Sequence, residues 1–292
     1  MYQGRLNALS KQRARQDYQS AEAITEEGLE FARKGQLKKA ITAFTTAIEL
    51  DRNRWETYRF RGIAYARLGR HVLAFKDFDV AILHDPNCAD CFYERGTIKM
   101  LCGRLEDALE DFSKCVNLDR EHAPAYSSRA GVFIRRGLYR EALEDIRAAL
   151  SLKPQNPDYL HNRAVVLTSL ERYGEAIEDY ERAINLDPKG GGTYNNLAWL
   201  LTTAKDPEYR DCQKAISYAR KALKRGRNGS WMDTLAAAYA ECGEFEKAVS
   251  TEKEAYRLSR PPNENFRRRI EVYKNGKTYA DWRSQHPGRN KK

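Results

Sequence analysis

The stretch from Trp55 to Cys88, WETYRFRGIAYARLGRHVLAFKDFDVAILHDPNC, shows the pattern that decides the fold of this 292-residue chain. Small residues, aromatic residues, a glycine and a proline hold fixed places in it, and the same residue types return every 34 residues. One alanine series keeps that spacing without a slip: Ala40, Ala74, Ala108, Ala142 and Ala176. A strict period of this length is typical of stacked repeats and not of one compact core.

Within the quoted stretch, the side chains predict two antiparallel helices joined by a turn. Ala74, Phe78 and Ala81 follow the i, i+4, i+7 spacing of one helix face. Gly62 and Ala74 are small, so the two helices can approach closely where they cross. Gly69 fits the left-handed conformation that often ends a helix. Each period is therefore predicted to form one helix-turn-helix unit.

These positions resemble the tetratricopeptide repeat (TPR) family over roughly residues 21–260. The resemblance implies an all-α fold, a right-handed α-α superhelix (solenoid) of about seven helix-turn-helix repeats closed by a C-terminal capping helix. An insertion lengthens the turn of the sixth repeat near Lys205. The repeats are predicted to span 21–54, 55–88, 89–122, 123–156, 157–190, 191–228 and 229–260.

Two basic segments flank the repeats. Residues 1–20 are predicted to be a basic N-terminal extension, and residues 261–292 a capping helix, from Asn263 to Tyr273, followed by a basic tail. The last repeats and this ending look like those of many bacterial TPR proteins. The net charge is +10, and most of it lies at the two ends, with nine lysines or arginines against three acids in 261–292.

The basic residues of the C-terminal region give an alternative function, an adaptor that binds nucleic acid or an acidic surface. Against it stands the plain interpretation that the charges are solvated surface. The sequence has no base-reading module, so nucleic acid is the less favoured partner. The candidate residues for an anionic partner are Lys221, Lys224, Arg225, Arg267, Arg268 and Arg269.

The six cysteines suggest no metal site. Cys91 and Cys102 would lie about 16 Å apart along one helix at a rise of about 1.5 Å per residue, so they cannot share a zinc ion. Cys88 and Cys91 sit at a helix N-terminus, which leaves a redox-reactive pair open. Cys115 takes a small core position. Cys212 and Cys242 have no partner in the sequence pattern, so we expect them to be unpaired. Unpaired cysteines favour a reducing compartment.

Catalysis has little support in the sequence. None of the five histidines repeats a ligand spacing, and no phosphate-cradling glycine loop or serine elbow is present. We therefore expect no enzyme activity, no cofactor and no metal. The apolar runs are too short to span a bilayer. The expected location is cytoplasmic, although a native signal peptide missing from this sequence would allow export.

Two charged series share the 34-residue period. Arg61, Arg95, Arg129 and Arg163 fall in the first helix of successive repeats, and Asp77, Asp111, Asp145 and Asp179 in the second. Our hypothesis is a ladder of Arg–Asp ion pairs between helices. The alternative is that both series face water, where each pair would contribute about 0–1 kcal/mol.

The resemblance also implies a binding surface, the concave groove lined by the first helix of each repeat. Asn162 and Asn196, 34 residues apart, look like a short form of the asparagine ladder that binds a peptide backbone in some TPR proteins. Trp199 offers an aromatic anchor, or else a packing residue. The predicted peptide-binding residues are Arg59, Tyr93, His161, Asn162, Asn195, Asn196 and Trp199.

The predicted function is that of a protein–protein interaction scaffold that binds a protein or peptide partner in this groove. Self-association through an exposed repeat end is a third interpretation. The Lys and Asn pair with which some family members bind a C-terminal carboxylate is absent from every repeat, so we do not expect that ligand.

Overall fold

The computed structural model describes the backbone of residues 2–285 and the side chains of residue 16 and residues 19–284. The chain forms two compact units, Met1–Arg136 and Gly137–Lys292. The boundary between them falls in the turn of the predicted fourth repeat, so the two helices of that repeat belong to different units. The predicted all-α fold is confirmed.

The first unit consists of three helical hairpins followed by one further helix. The hairpins are α1/α2, α3/α4 and α5/α6, and each next helix packs on the hairpin before it. The helices are α1 (Tyr2–Arg33), α2 (Leu37–Leu50), α3 (Trp55–Arg67), α4 (His71–His84), α5 (Ala89–Leu101), α6 (Leu105–Leu118) and α7 (Ala123–Arg136).

The second unit begins with one helix, continues with three hairpins and ends with two C-terminal helices. The hairpins are α9/α10, α11/α12 and α13/α14, with α15 packed on α14 and α16 on α13. The helices are α8 (Tyr139–Leu152), α9 (Pro157–Ser169), α10 (Tyr173–Leu186), α11 (Gly191–Thr203), α12 (Cys212–Leu223), α13 (Gly229–Glu241), α14 (Phe245–Leu258), α15 (Glu264–Lys274) and α16 (Tyr279–Gln285).

The two chain ends differ in detail from the sequence prediction. The N-terminal extension is not separate from the first repeat, because α1 runs without a break from Tyr2 to Arg33. The predicted capping helix is present as α15, within one residue at each end. A second C-terminal helix, α16, was not predicted. The rest of the predicted basic tail, residues 286–292, lies outside the described residues.

A glycine facing a phenylalanine lets the two helices of each early repeat approach. A Cβ atom on Gly28 would lie 2.5 Å from the ring of Phe44, and one on Gly62 would lie 3.1 Å from the ring of Phe78. Both rings are fully buried. The close crossing predicted from the small residues is therefore confirmed, since any larger residue would have to displace a packed ring.

The turn inside each repeat needs one residue with a left-handed backbone. Gly69 provides it in the second repeat with φ of 72°. At the equivalent place in the fifth repeat stands Glu171, which adopts the same conformation with φ of 62°. The fold therefore imposes this turn even where the side chain disfavours it.

The Arg–Asp hypothesis is confirmed for three repeats. Asp77, Asp111 and Asp179 are buried, and each accepts two hydrogen bonds from the arginine 16 residues before it. The contacts join the two helices of one hairpin. The fourth pair, Arg129 and Asp145, has its members in different units.

The cysteines correct one prediction and confirm another. Cys212, the first residue of α12, forms a disulfide with Cys242, which follows α13, so the expectation that these two are unpaired is wrong. Stacking brings them together across 30 residues of sequence, a relationship that local spacing does not show. Cys88 and Cys91 form a second disulfide. Cys115 is buried as predicted. With four cysteines paired, the argument for a reducing compartment loses its premise.

Candidate functional site

The helix-A face of the second unit is the face of α9, α11 and α13 that carries His161, Asn195, Trp199 and Asp233. His161 lies near the start of α9, where its Nδ1 atom is 3.0 Å from the hydroxyl of Thr193. Burial lowers the pKa of His161 below its usual value, so the ring is neutral at neutral pH. This histidine offers hydrogen bonds and not charge. Asn162 follows it on the same helix.

The two neighbouring asparagines of α11 have different environments. Asn196 and Thr168 hydrogen-bond with the hydroxyl of Tyr180, a buried residue of α10 whose pKa burial raises. Asn196 thus joins the two helix layers, a role that the sequence analysis missed. Asn195 donates weakly to Asn196, at 3.5 Å. Among the described residues, no partner accompanies the Oδ1 atom of Asn195.

Trp199 borders a large cavity of this face. Its ring meets that of Tyr279 edge-on, with 4.8 Å between the ring centroids. The predicted anchor is therefore partly covered by the chain's own α16. The cavity has a volume of about 870 Å³ and lies between α11 and α13 on one side and the C-terminal helices on the other. Its lining includes Trp199, Thr203, Ser230, Asp233, Asn265 and Arg283.

A buried ion-pair cluster forms the floor of the cavity. The Nη2 atom of Arg269 lies 2.6 Å from Asp233 Oδ1, and its Nε donates to Glu252 Oε1 at 3.2 Å. Burial and the adjacent Asp233 carboxylate raise the pKa of Glu252 well above its usual range. Glu252 is the more deeply buried of the two acids, so we assign a proton to it. The charge of Arg269 then faces one anion, the carboxylate of Asp233.

The cluster corrects the prediction for Arg269. The sequence predicts Arg269, together with Arg267 and Arg268, as a surface residue for an anionic partner. Its guanidinium is instead enclosed by two acids and three aromatic rings, with centroids 5.1 to 5.6 Å away, those of Phe266, Tyr279 and Trp282. A charged group buried in α15 requires such partners, and the two acids come from the preceding hairpin, α13/α14.

Three other members of the predicted basic patch contact residues of the same chain. Arg225 donates to the carbonyl oxygen of Pro188 and stacks on Tyr194, 4.3 Å from the ring centroid. Lys221 lies over the ring of Tyr218. Arg267 pairs with Glu264, one turn away on α15, and these residues are exposed, as are Lys224 and Arg268. Arg269 is therefore not part of a basic surface, and the other five residues remain a prediction.

In the first unit, the two predicted groove residues belong to a polar cluster of their own. The Nη2 atom of Arg59 lies 2.7 Å from Asp90, whose other carboxylate oxygen is 3.2 Å from His122. The ring of Tyr93 packs against His122 at 4.7 Å. Burial raises the pKa of nearby Glu94. Both predicted residues thus lie at the contact between α3, α5 and the start of α7.

Two further findings concern the part of the chain that the structure describes. No group of three or more histidine, cysteine, aspartate or glutamate side chains there could hold a metal ion. Nor does any helix in that part combine the length and the apolar character that crossing a membrane requires.

Comparison with protein families gives three matches, all to tetratricopeptide repeat models. They cover residues 25–90, 89–122 and 157–189. These ranges fall in both units. No curated protein matches the sequence.

Solved structures show the same fold at low sequence identity. A tetratricopeptide repeat protein from Parabacteroides merdae has a TM-score of 0.63 at 18% identity, over 88% of this chain and 100% of its own. PilF from Pseudomonas aeruginosa has a TM-score of 0.64 at 17% identity, over 71% of this chain and 92% of its own. YrrB, a TPR protein with a TM-score of 0.51 at 21% identity, is covered over 94% of its length by 64% of this chain.

The repeat period, the helical hairpins and the family matches agree with one another. This chain is a tetratricopeptide repeat protein, and so belongs to a family of protein-interaction scaffolds.

Proposed function

We propose that the chain binds an extended segment of a partner protein along the helix-A face of its second unit, and that the cavity beside Trp199 takes a side chain of that segment. The cavity is the observation that carries the proposal. Its volume of about 870 Å³ falls within the range of about 300–1,000 Å³ that is typical of ligand sites.

The chemistry of the lining favours an apolar or aromatic side chain. The rings of Trp199, Tyr279 and Trp282 border the cavity, and aromatic side chains are enriched where partners bind tightly. Ser230 and Asn265 add polar groups at the rim, which suit the backbone amides of an extended peptide. The site thus sets three aromatic rings among hydrogen-bonding groups, and its lining surface is slightly more polar than apolar.

Its electrostatics argue against a strongly anionic ligand. The charge of Arg269 is balanced by Asp233 within the floor, and the protonated Glu252 adds none. Arg283 donates to the carbonyl oxygen of Thr203, which directs part of its guanidinium to the protein. We therefore expect the bound side chain to be uncharged, and we expect only modest salt dependence of binding.

A structural neighbour supports a peptide as the ligand. YrrB is described as a TPR protein with an unusual peptide-binding site. The predicted residues His161, Asn162, Asn195 and Asn196 would continue the site from the cavity along the same face. Arg59 and Tyr93 in the first unit remain predictions that rest on the family resemblance.

The test is to fill the cavity without removing a contact. Ser230 is exposed and lines it, so Ser230→Phe places a ring in the space. The matched control is Ser250→Phe, an exposed serine on α14, the second helix of the same repeat. Wild type and both variants are used to capture proteins from source-cell lysate in the presence of nuclease, at low and high salt.

We expect that wild type and Ser250→Phe capture one or more proteins at both salt concentrations, and that Ser230→Phe does not capture them. Equal retention by all three proteins would contradict it. Retention that disappears with nuclease or with salt, and does not depend on Ser230, would favour the alternative of an anionic partner.

A further inference from the structure

The C-terminal helix α16 lies on the same surface that the proposed partner would use. Tyr279 and Trp282 are three residues apart, face the protein together and are buried. They pack with Ala237 of α13 and with Trp199 of α11. One turn of α16 therefore inserts two aromatic rings at the end of the helix-A face.

A polar contact fixes the position of this helix. Arg283 Nη1 donates to the carbonyl oxygen of Thr203, the last residue of α11, at 3.1 Å. Asp281 and Ser284, on the other side of α16, are exposed to solvent. The helix thus presents an aromatic pair and one arginine to the protein, as a bound amphipathic peptide would.

Local hydrogen bonds hold α16 in helical form. Asp281 accepts from the backbone N–H of Thr278 at 2.7 Å and from its hydroxyl at 3.0 Å. These bonds lower the pKa of Asp281 below its usual value. With only seven residues, the helix is too short to be stable alone in water. Its order therefore depends on docking.

The link to the rest of the chain is short and can act as a hinge. α15 ends at Lys274 and α16 begins at Tyr279, so four residues join them. Among these four, Gly276 has φ of 66°, in the left-handed region that glycine enters freely. Changes at these residues would move α16, whereas Arg269 of α15 would keep its ion pairs with Asp233 and Glu252.

We propose that α16 is an internal ligand of the helix-A face, and that the partner displaces it. This inference rests on the proposed function. It also states the chemistry of the part of the extended segment that takes the place of α16: one helical turn with aromatic residues at i and i+3 and a basic residue at i+4, matching Tyr279, Trp282 and Arg283. The open part of the cavity, beside Ser230 and Asn265, gives the incoming segment a first contact while α16 is still docked.

The experiment measures displacement by the helix itself. A fluorescent peptide with the sequence of residues 277–285, KTYADWRSQ, is titrated with the full chain, and binding is followed by anisotropy. Three proteins are compared: wild type, Trp282→Ala, which loses a buried ring of α16, and Ser284→Ala, which changes an exposed residue of the same helix. Circular dichroism checks that each remains folded.

A docked α16 competes with the peptide for the same site. The apparent affinity for the peptide is therefore the intrinsic affinity multiplied by the fraction of molecules in which α16 is undocked. We expect Trp282→Ala to bind the peptide at least about ten-fold more tightly than wild type and Ser284→Ala do. Equal binding by the three proteins, or none, would overturn the inference. Loss of peptide binding by Ser230→Phe in the Trp282→Ala background would place the peptide on the proposed face.

Hydrogen exchange of the wild-type chain gives a second test that does not depend on any variant. Amides of α16 should exchange at least about ten-fold faster than those of α15, because α16 opens by itself. Exchange of both helices at one common rate would show that α16 is a fixed part of the fold and would overturn the inference. It would leave the proposed function standing, because the cavity would still be open.

Discussion

Arg95 and Asp111 form a two-point ion pair inside the third repeat. Nε of Arg95 donates to Oδ2 at 2.9 Å and Nη2 donates to Oδ1 at 2.7 Å. Arg95 also reaches back to the preceding repeat, where Nη1 donates to Asp79 at 2.6 Å. The guanidinium of Arg95 thus contacts the other helix of its own hairpin, α6, and also α4, so this arginine joins two repeats as well as the two helices of one.

The two acids bound by Arg95 should differ greatly in their effect on stability. The Asp111 side chain is 4% exposed and also pairs with Lys99 at 2.8 Å, whereas that of Asp79 is 62% exposed. Asp111→Asn should lower the free energy of unfolding by about 2–3 kcal/mol, somewhat less than for a fully buried pair. Asp79→Asn should lower it by about 0–1 kcal/mol. Urea unfolding measures both, and similar losses would contradict this account.

The glycines that face phenylalanine rings should not tolerate a methyl group. In Gly28→Ala the new Cβ would meet the Phe44 ring at 2.5 Å, so we expect a loss of about 1–3 kcal/mol from overpacking. Gly131, inside α7, has nothing within 4 Å of its Cβ position. Gly131→Ala should therefore stabilise the protein by about 0.5–1 kcal/mol through helix propensity. Thermal unfolding distinguishes the two, and a stabilising Gly28→Ala would refute the close crossing.

Thiol counting tests the disulfides. Without reductant, the unfolded chain should show two reactive thiols, Cys102 and Cys115, and six after reduction. In the folded protein only Cys102 should react at pH 8, because Cys115 is buried and burial raises its pKa to about 12. Six thiols in the unreduced, freshly isolated protein would show that neither disulfide forms.

The buried acid of the cavity floor should make stability depend on pH. Since the folded-state pKa of Glu252 lies well above 4.5, its favourable contribution is complete below about pH 4.5 and is lost as pH rises towards that folded value. Each pH unit in this interval costs about 1.4 kcal/mol. Between pH 5 and pH 8, wild type should therefore lose more stability than Glu252→Gln. Parallel profiles of the two proteins would contradict the assigned proton.

The repeat architecture could be predicted from sequence because each repeat has the same residue types at the same positions. Ala74, Phe78 and Gly69 specify a helix face and a turn that need no information from elsewhere in the chain. The Arg–Asp ladder was predictable for the same reason, because the spacing of 16 residues between Arg61 and Asp77 recurs in the next repeats.

Features built by contacts between different repeats were not predictable in this way. Cys212 and Cys242 meet only because α12 and α13 stack. Arg269 looked like one of three surface arginines, and only the fold shows that Asp233 and Glu252 enclose it. The last helix, α16, was not predicted because its seven residues do not follow the repeat period. The role of its aromatic pair is visible only in the fold, where the pair packs against Trp199.

Site-specific photo-crosslinking tests directly whether a partner occupies the cavity of the helix-A face. A benzoylphenylalanine replaces Asn265, which lines the cavity, or Ser250, which lies on α14, and the chain is irradiated in its source cells. We expect a covalent adduct with another protein at position 265 and none at position 250. Adducts at 250 but not at 265, or at neither position, would contradict it.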